Sequence, residues 1–311
     1  MVILYAAGVL LGGSVAWAQE PAAAPVMSGP TLSYPQGNGL RIVVTGHSWV
    51  APALDTIGPI AAAAGYTGHH LLSHISGGDT GSARSIWAAE HGLDYPGRNQ
   101  APQKTILLPA LATGQWDVMV WGVYRWDKPE DYTPWLDACL KANPAMVFYI
   151  QDGWPQVSDF MTPAGEYNPA ALRARQEFIN TSVAQLVSTL NAQYPGKVRV
   201  IPVGNGVSRL VTLLLDKKLP YIQQINSQNT TTPGIYKDGG HLDVANSGLG
   251  WFEGYVYYAT LYRKPPAAIK AGFRVPDAAL DSLYRRLAWE VVTNYPLSGV
   301  TAAAGAGAGS R

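Results

Sequence analysis

The sequence predicts an α/β protein, a three-layer α/β/α sandwich with a mainly parallel central sheet of about five strands. The chain of 311 residues is 47% hydrophobic and 14% charged, a composition typical of a large buried core and not of a disordered chain. Short apolar runs alternate with segments of helical periodicity, which is typical of a parallel sheet covered by helices on both faces. Several of these runs end in small or polar residues, at the sheet edge where ligands bind in such folds.

Five apolar runs are predicted to be the strands of this sheet. The first begins at Arg41 and stops at Gly46-His47-Ser48. The other four cover residues 71–75, 116–121, 145–150 and 197–203. Apolar residues at helical spacing predict helices at 51–64, 132–142, 169–191, 244–262 and 276–295. Strands and helices therefore alternate along most of the chain.

One folded domain is predicted for residues 40–297. Residues 1–18 are an apolar run that ends in Ala16-Trp17-Ala18, the small-x-small pattern of a signal-peptide cleavage site. The composition of residues 19–39 predicts a flexible linker, and that of residues 298–311 predicts a disordered tail. We therefore expect a secreted or periplasmic protein without stable membrane insertion after cleavage. Because no lysine or arginine precedes the apolar run, an uncleaved membrane anchor is the alternative.

Charge and cysteine content argue against several classes of partner and site. The formal net charge is +1 and no lysine- or arginine-rich stripe is present, so we expect no nucleic-acid partner. Cys139 is the single cysteine, which leaves no disulfide within the chain and predicts a small core residue. His69, His70 and His74 lack the i, i+4 spacing of helical zinc motifs. We expect neither a metal nor another cofactor.

Ser48 is predicted at the carboxyl end of the first strand, either as a nucleophile or as the N-cap of the next helix. A serine nucleophile also needs a base and an acid that orients the base. The loop Asp238-Gly239-Gly240-His241 supplies both, three residues apart. Asp243 also lies close to His241, but its place at the start of a predicted helix favours an N-terminal cap.

Four motifs follow one another between residues 40 and 262: Gly46-x-Ser48, the Ile75–Thr80 loop, Gly122 at a strand end, and Asp238-x-x-His241. Their order, spacing and predicted secondary structure resemble the successive blocks of the SGNH (GDSL-type) hydrolases. This resemblance implies a three-layer α/β/α fold and hydrolysis of ester bonds through an acyl-enzyme, without a metal.

The same resemblance implies a role for each matching residue. Ser48 matches the nucleophile, His241 the general base and Asp238 the acid that orients the base. The amide of Ser48 matches one oxyanion donor, and the amide of Gly78 matches another, or that of Gly77 if the alignment shifts by one residue.

Two positions depart from the family pattern. His47 stands where the family has an aspartate, at a position outside the triad. At the third block the family's Gly-x-Asn becomes Gly122-Val123-Tyr124, and loss of one oxyanion donor typically lowers turnover about 10²–10³-fold. We expect modest activity, activity restricted to activated substrates, or a site completed by Tyr124, Arg125 or another donor.

Tryptophans follow three predicted strand ends, at Trp49, Trp126 and Trp154. Together with Arg125 they are predicted to line the mouth of the site, where indole rings stack on sugars or aromatic acyl groups; burial in the core is the alternative. The predicted function is an exported serine esterase that deacylates a carbohydrate, with an acylated small molecule or polysaccharide as substrate. The alternatives are a hydrolase of lipid, aromatic or polyester esters, and a catalytically weakened carbohydrate-binding or scaffold protein on the same fold.

Overall fold

Five parallel strands form the central sheet, as the sequence predicts. The computed structural model describes residues 38–93, 107–162 and 164–302. The strands are β1 (Arg41–Gly46), β2 (His70–Ile75), β3 (Val118–Gly122), β4 (Val147–Gln151) and β5 (Val198–Ile201). They lie in the order β2-β1-β3-β4-β5, and every neighbouring pair is parallel. Because the chain runs from β1 out to β2 and then crosses to β3 on the other side, a crevice is expected at the carboxyl ends of β1 and β3.

Helices cover both faces of the sheet and complete the predicted three layers. In the part of the chain that the structure describes they are α1 (Ala51–Ala63), α2 (Ala83–Glu90), α3 (Leu107–Leu111), α4 (Pro129–Ala142), α5 (Val157–Phe160), α6 (Pro169–Gln193), α7 (Val203–Leu215), α8 (Leu249–Tyr262) and α9 (Ala278–Thr293). One core lies under α1, α7, α8 and α9, and the other under α2, α3, α4 and most of α6. The side chains of successive strand residues belong to different cores: those of Ile42 and Val44 pack in the first, and that of Val43 packs in the second.

Four of the described helices, α2, α3, α5 and α7, are not among the five predicted from helical periodicity. Residues 202–203 were expected to end the fifth strand, but β5 ends at Ile201 and α7 begins at Val203. The Asp152 carboxylate accepts hydrogen bonds from the Gly204 amide, at 2.6 Å, and from the Asn205 side chain, at 2.9 Å. These bonds fix the start of α7 and satisfy amides that a helix N-terminus leaves without partners.

The start of α8 also differs from the prediction, because the helix begins at Leu249 and not at residue 244. The Asp243 carboxylate accepts hydrogen bonds from the backbone amides of Gly234, at 3.3 Å, and Asn246, at 3.0 Å. Asp243 is buried and holds this turn, so the prediction that it caps the helix is wrong. Gly248, with a φ of 65°, is the residue that precedes α8.

A second, two-stranded parallel sheet precedes the Asp238–His241 loop. It pairs β6 (Gln224–Asn226) with β7 (Gly234–Tyr236). Directly after β7, the Lys237 amide donates a hydrogen bond to the His241 carbonyl at 2.8 Å. The loop is thus closed at its base and attached to a strand.

The predicted signal peptide at residues 1–18 lies outside the described residues, as do most of the linker at 19–39 and residues 303–311 of the tail. The folded part continues beyond the predicted boundary at residue 297. Ser298 and Val300 are buried, and the Ser298 hydroxyl donates to the Val292 carbonyl at 2.7 Å. Within the described ranges, no helix is both long and apolar enough to cross a membrane.

Candidate functional site

Ser48 lies at the carboxyl end of β1, next to the crevice between β1 and β3. It begins a 3-10 turn, Ser48–Val50, which continues directly into α1. The N-cap of this turn is His47, and the N-cap of α1 is Val50. Ser48 therefore does not act as the helix cap, which leaves its hydroxyl available for another partner.

The Ser48 hydroxyl, the His241 imidazole and the Asp238 carboxylate form one hydrogen-bonded chain. Ser48 Oγ lies 2.9 Å from His241 Nε2. On the other side of the ring, His241 Nδ1 lies 2.9 Å and 3.1 Å from the two Asp238 oxygens. A carboxylate accepts the Nδ1 proton, so the Nε2 lone pair faces the serine hydroxyl. This is the arrangement in which an imidazole can remove a proton from serine.

The Asp238–His241 loop is held in shape by its own backbone. Asp238 Oδ1 accepts hydrogen bonds from the amides of His241, at 2.9 Å, and Gly240, at 3.2 Å. Burial raises the pKa of Asp238, but these amides and the imidazole outweigh it and bring the pKa below its usual value. Gly239 has a φ of 91°, which favours glycine. The loop presents a charged carboxylate to His241 in a fixed orientation.

His47 links the Ser48 turn to the end of β3. Its Nε2 lies 2.9 Å from the Val123 carbonyl, and its Nδ1 accepts a weak hydrogen bond from the Trp49 amide at 3.5 Å. This pairing requires the neutral ring with its proton on Nε2. Burial, supported by the nearby His241, lowers the pKa of His47 in spite of the Val123 carbonyl. His47 Nδ1 thus accepts a hydrogen bond from the Ser48 turn, as an aspartate carboxylate would. Its Nε2 in addition donates a hydrogen bond to the residue after β3.

The two glycines predicted as oxyanion donors lie on the loop after β2. Gly77 is the N-cap of the 3-10 turn Gly78–Gly81, and Gly78 has a φ of 55°. The far end of this turn packs on the segment that carries Ser48, since a Cβ atom on Gly81 would lie 2.6 Å from the Gly46 carbonyl oxygen. The loop therefore flanks Ser48, and no hydrogen bond from the Gly77 or Gly78 amide to another described residue is present.

Tyr124 lies beside the same turn, with its ring centroid 5.6 Å from that of His47. Its backbone amide donates to Asp127 Oδ2 at 2.8 Å, and the Tyr132 hydroxyl donates to the same oxygen at 2.6 Å. Burial raises the pKa of Asp127 to about 7 in spite of these bonds. The Tyr124 hydroxyl has no hydrogen-bond partner among the described residues, so its predicted role as an oxyanion donor stays a prediction.

The three tryptophans predicted at the mouth of the site have different environments. Trp126 is 67% exposed, and the Arg125 guanidinium lies 4.6 Å from its ring centroid. Trp49 is partly buried and stacks on Trp154, with ring centroids 4.5 Å apart. Trp154 is only 1% exposed, and its Nε1 donates to the Gly240 carbonyl at 2.9 Å. The prediction that Trp154 contacts substrate is therefore wrong, because its ring is covered and supports the His241 loop and Trp49 instead.

A buried polar cluster behind the Ser48 turn is not identified by the sequence analysis. Gln151, the last residue of β4, donates from Nε2 to the Trp49 carbonyl at 2.9 Å. Its Oε1 accepts a hydrogen bond from the Tyr257 hydroxyl. Glu253 lies beside Gln151, and burial raises the pKa of its carboxyl well above the usual value. The sequence signal for this cluster is a polar residue within an otherwise apolar segment, Gln151 at the end of β4 and Glu253 in α8.

The histidines and the cysteine outside the triad do not form a metal site. In the described parts of the chain, no group of three His, Cys, Asp or Glu side chains is arranged to hold a metal ion. His69 Nδ1 lies 2.6 Å from the Tyr262 hydroxyl. Cys139 is buried, as predicted, and burial raises the pKa of its thiol to about 12.

Comparison with known proteins identifies the fold and nothing beyond it. No protein-family model matches the chain, and no curated protein matches it. A crystal structure of a DUF4886 family protein from Bacteroides uniformis ATCC 8492 is similar, with a TM-score of 0.56 over 82% of this chain and 95% of that chain. The two sequences are 13% identical. The chain therefore shares the α/β architecture of that solved structure.

Proposed function

We propose that the protein is an exported serine esterase of the SGNH (GDSL-type) kind, with Ser48 as its nucleophile. The observation that carries this proposal is the unbroken hydrogen-bonded chain from Ser48 Oγ through His241 to Asp238. The triad is open to solvent, since the side chains of His241 and Asp238 are 48% and 32% exposed. A substrate ester can therefore reach the serine hydroxyl.

The proposed reaction has two halves. Ser48 Oγ attacks the carbonyl carbon of the ester while its proton passes to His241 Nε2, and Asp238 stabilises the resulting imidazolium. The tetrahedral intermediate collapses when His241 returns this proton to the leaving alcohol oxygen. Water then attacks the acyl-Ser48 ester with His241 again as base, and a carboxylic acid and free Ser48 are released.

Stabilisation of the oxyanion is assigned to backbone amides, with one further donor. The amides of Ser48 and of Gly78, or Gly77, lie on the two segments that meet at the carboxyl ends of β1 and β2. Tyr124 is the candidate for the third donor because it lies beside His47 and its hydroxyl lacks a partner among the described residues. Arg125, exposed on the same loop, is the alternative.

The first experiment is labelling with a fluorophosphonate probe, which reacts with activated serines. We expect the wild type to be labelled and Ser48→Ala to be unlabelled, because the probe needs the nucleophile. Ser182→Ala is the matched control, since Ser182 is an exposed serine on α6. Equal labelling of the wild type and Ser48→Ala would contradict the proposal.

The proposed substrate is an acylated carbohydrate. The exposed Trp126 ring, with Arg125 stacked on it, supports this choice, because an indole face and a guanidinium together suit a sugar ring and its hydroxyls. Hydrolysis of p-nitrophenyl acetate, abolished in His241→Ala, would argue against the scaffold alternative. Export is tested by the N-terminal sequence of the mature protein, which we expect to begin at Gln19.

A further inference from the structure

A cavity of about 540 Å³ lies on the side of the Ser48 turn that faces α4. One wall comes from the loop after β2 and the start of α2, with Asp79 and Arg84. The opposite wall comes from the segment between β3 and α4, with Tyr124, Arg125 and Trp126. The cavity is thus built by the two segments that flank the nucleophile.

Both walls contact the residue that precedes Ser48. A Cβ atom on Gly81 would lie 2.8 Å from the Cα of His47, and the Tyr124 ring lies edge-on to the His47 ring. Asp79 follows Gly78, a proposed oxyanion donor, and Tyr124 is the candidate for another. Ser48 itself is not part of the lining, but the cavity lies directly next to the segment that carries it.

Charged side chains of both signs line the cavity in nearly equal number. The cations are Arg84, Arg125 and Lys128, and the carboxyls are Asp79, Asp127, Glu130 and Asp131. Asp127 is in addition only partly ionised at neutral pH, because burial raises its pKa to about 7. This balance gives the cavity no strong attraction for an anionic or a cationic ligand.

The apolar part of the lining is small and mostly aromatic. It consists of Pro134 and the rings of Trp87, Tyr124 and Trp126, which is too little apolar surface to cover a long acyl chain. Indole faces pack against the C–H groups of sugar rings, while carboxylates and guanidinium groups exchange hydrogen bonds with vicinal hydroxyls. The lining therefore suits a neutral, hydroxyl-rich ligand better than a lipid.

We propose that this cavity binds a neutral sugar unit in the alcohol part of the ester, with Trp126 and Arg125 as its outer wall. The proposal rests on the proposed serine esterase function and deepens it, because it separates a carbohydrate substrate from a long-chain lipid or polyester. It also assigns the leaving alcohol, and not the acyl group, to this cavity.

The test is calorimetric binding to the full chain carrying Ser48→Ala, in which hydrolysis cannot consume the ligand. The probes are four neutral tetrasaccharides (β-1,4-linked xylose, glucose and mannose, and α-1,4-linked glucose), the anionic trigalacturonate, and octanoate. We expect measurable binding of a neutral tetrasaccharide and weaker binding of the anionic probe and of octanoate. Adding Trp126→Ala should weaken the glycan affinity about tenfold or more, which corresponds to ~1.4 kcal/mol.

Phe178→Ala, added to the same Ser48→Ala background, is the matched control. Phe178 is 61% exposed on α6 and carries the Arg175 guanidinium 5.2 Å from its ring centroid, so it copies the Trp126–Arg125 pair outside the cavity lining. We expect this variant to bind the tetrasaccharide as tightly as the Ser48→Ala protein does.

Three results would overturn the proposal: no binding of any neutral tetrasaccharide, preferred binding of octanoate or trigalacturonate, or glycan binding unchanged by Trp126→Ala. The outcome is separate from that of the proposed function. Glycan binding without fluorophosphonate labelling of the wild type would reject the esterase and keep the sugar site, and labelling without glycan binding would reject only the sugar site.

Discussion

Asp238 shows how a single residue determines the proton arrangement of the candidate site. Its Oδ1 is occupied by two backbone amides, and its Oδ2 lies 2.9 Å from His241 Nδ1. In Asp238→Asn the amide oxygen would keep the position that faces the backbone amides, and the side-chain NH₂ group would face Nδ1. Nδ1 would then have to accept, which places the imidazole proton on Nε2, toward Ser48.

We therefore expect Asp238→Asn to lower kcat for p-nitrophenyl acetate by roughly 10³–10⁴-fold, because the imidazole can no longer take the serine proton. Steady-state kinetics measures this loss, and circular dichroism checks that the fold is kept. Asp216→Asn is the control, since the Asp216 side chain is 48% exposed and pairs only with Lys218. A kcat within tenfold of the wild type would show that Asp238 does not orient His241.

At the residue scale, the sequence predicts which side chains meet at the candidate site better than it predicts the surroundings of each side chain. The contact of Ser48, His241 and Asp238 is predictable because the acid and base are three residues apart and the order of motifs resembles a known family. The burial of Trp154 and the contact of Gln151 with Trp49 are not predictable, because they depend on residues about 100 positions apart packing together.

At the scale of elements, β4 and α8 support the Ser48 turn through Gln151. A backbone carbonyl can only accept, so the Gln151 NH₂ group must face Trp49 and its oxygen must face the Tyr257 hydroxyl. This fixes the amide orientation and attaches the residue after Ser48 to two buried elements. The glutamine thus acts on the position of Ser48 without contacting the proposed substrate.

We expect Gln151→Met to cost about 1–3 kcal/mol of unfolding free energy, because the Tyr257 hydroxyl and the Trp49 carbonyl lose their partner. It should also lower kcat per labelled active site by about tenfold to a hundredfold with little change in KM, because Ser48 shifts relative to His241. Urea denaturation and fluorophosphonate titration measure the two effects. The exposed Gln193 on α6 provides the control Gln193→Met, and an unchanged kcat per site would limit Gln151 to a purely structural role.

There is a physical reason why the sequence pattern fails to predict α7. In α7 the glycines at 204 and 206 argue against a helix by propensity. In the structure these glycines allow α7 to pack where it does. A Cβ atom on Gly204 would lie 1.7 Å from the Gly153 carbonyl oxygen, and one on Gly206 would lie 2.6 Å from the Phe252 ring. Four of the five strands, β1, β3, β4 and β5, are predictable because strands buried on both faces are continuous apolar runs.

At the scale of the whole molecule, His69 makes the contact between distant chain segments sensitive to acid. Its Nδ1 contacts the Tyr262 hydroxyl at the end of α8, and that hydroxyl also accepts a hydrogen bond from the Leu40 amide at 3.3 Å. Burial, with a smaller contribution from His70, lowers the pKa of His69 to about 4. The folded state therefore favours the neutral ring. As the pH falls from about 6.5 toward 4, the unfolded chain binds a proton at His69 before the folded chain does, and the free energy of unfolding decreases.

We expect the free energy of unfolding to decrease more steeply between pH 6.5 and 4 in the wild type than in His69→Gln, because glutamine does not titrate. Urea denaturation at a series of pH values measures both curves. His70→Gln should keep most of the wild-type slope, since burial and not His70 is the larger cause of the lowered pKa of His69. Parallel curves for the wild type and His69→Gln would contradict the assignment.

The Ser48–His241 hydrogen bond joins residues 193 positions apart in the chain, and this separation determines when the pair can form during synthesis. A ribosome must translate past residue 241 before the histidine exists, and α8, whose Gly250 carbonyl accepts a hydrogen bond from Thr56 of α1 at 2.9 Å, must still dock. Every nascent chain that ends between residues 48 and 240 contains the serine without its base. With the proposed function, the growing polypeptide would stay inert toward esters until this docking, without an inhibitor or propeptide.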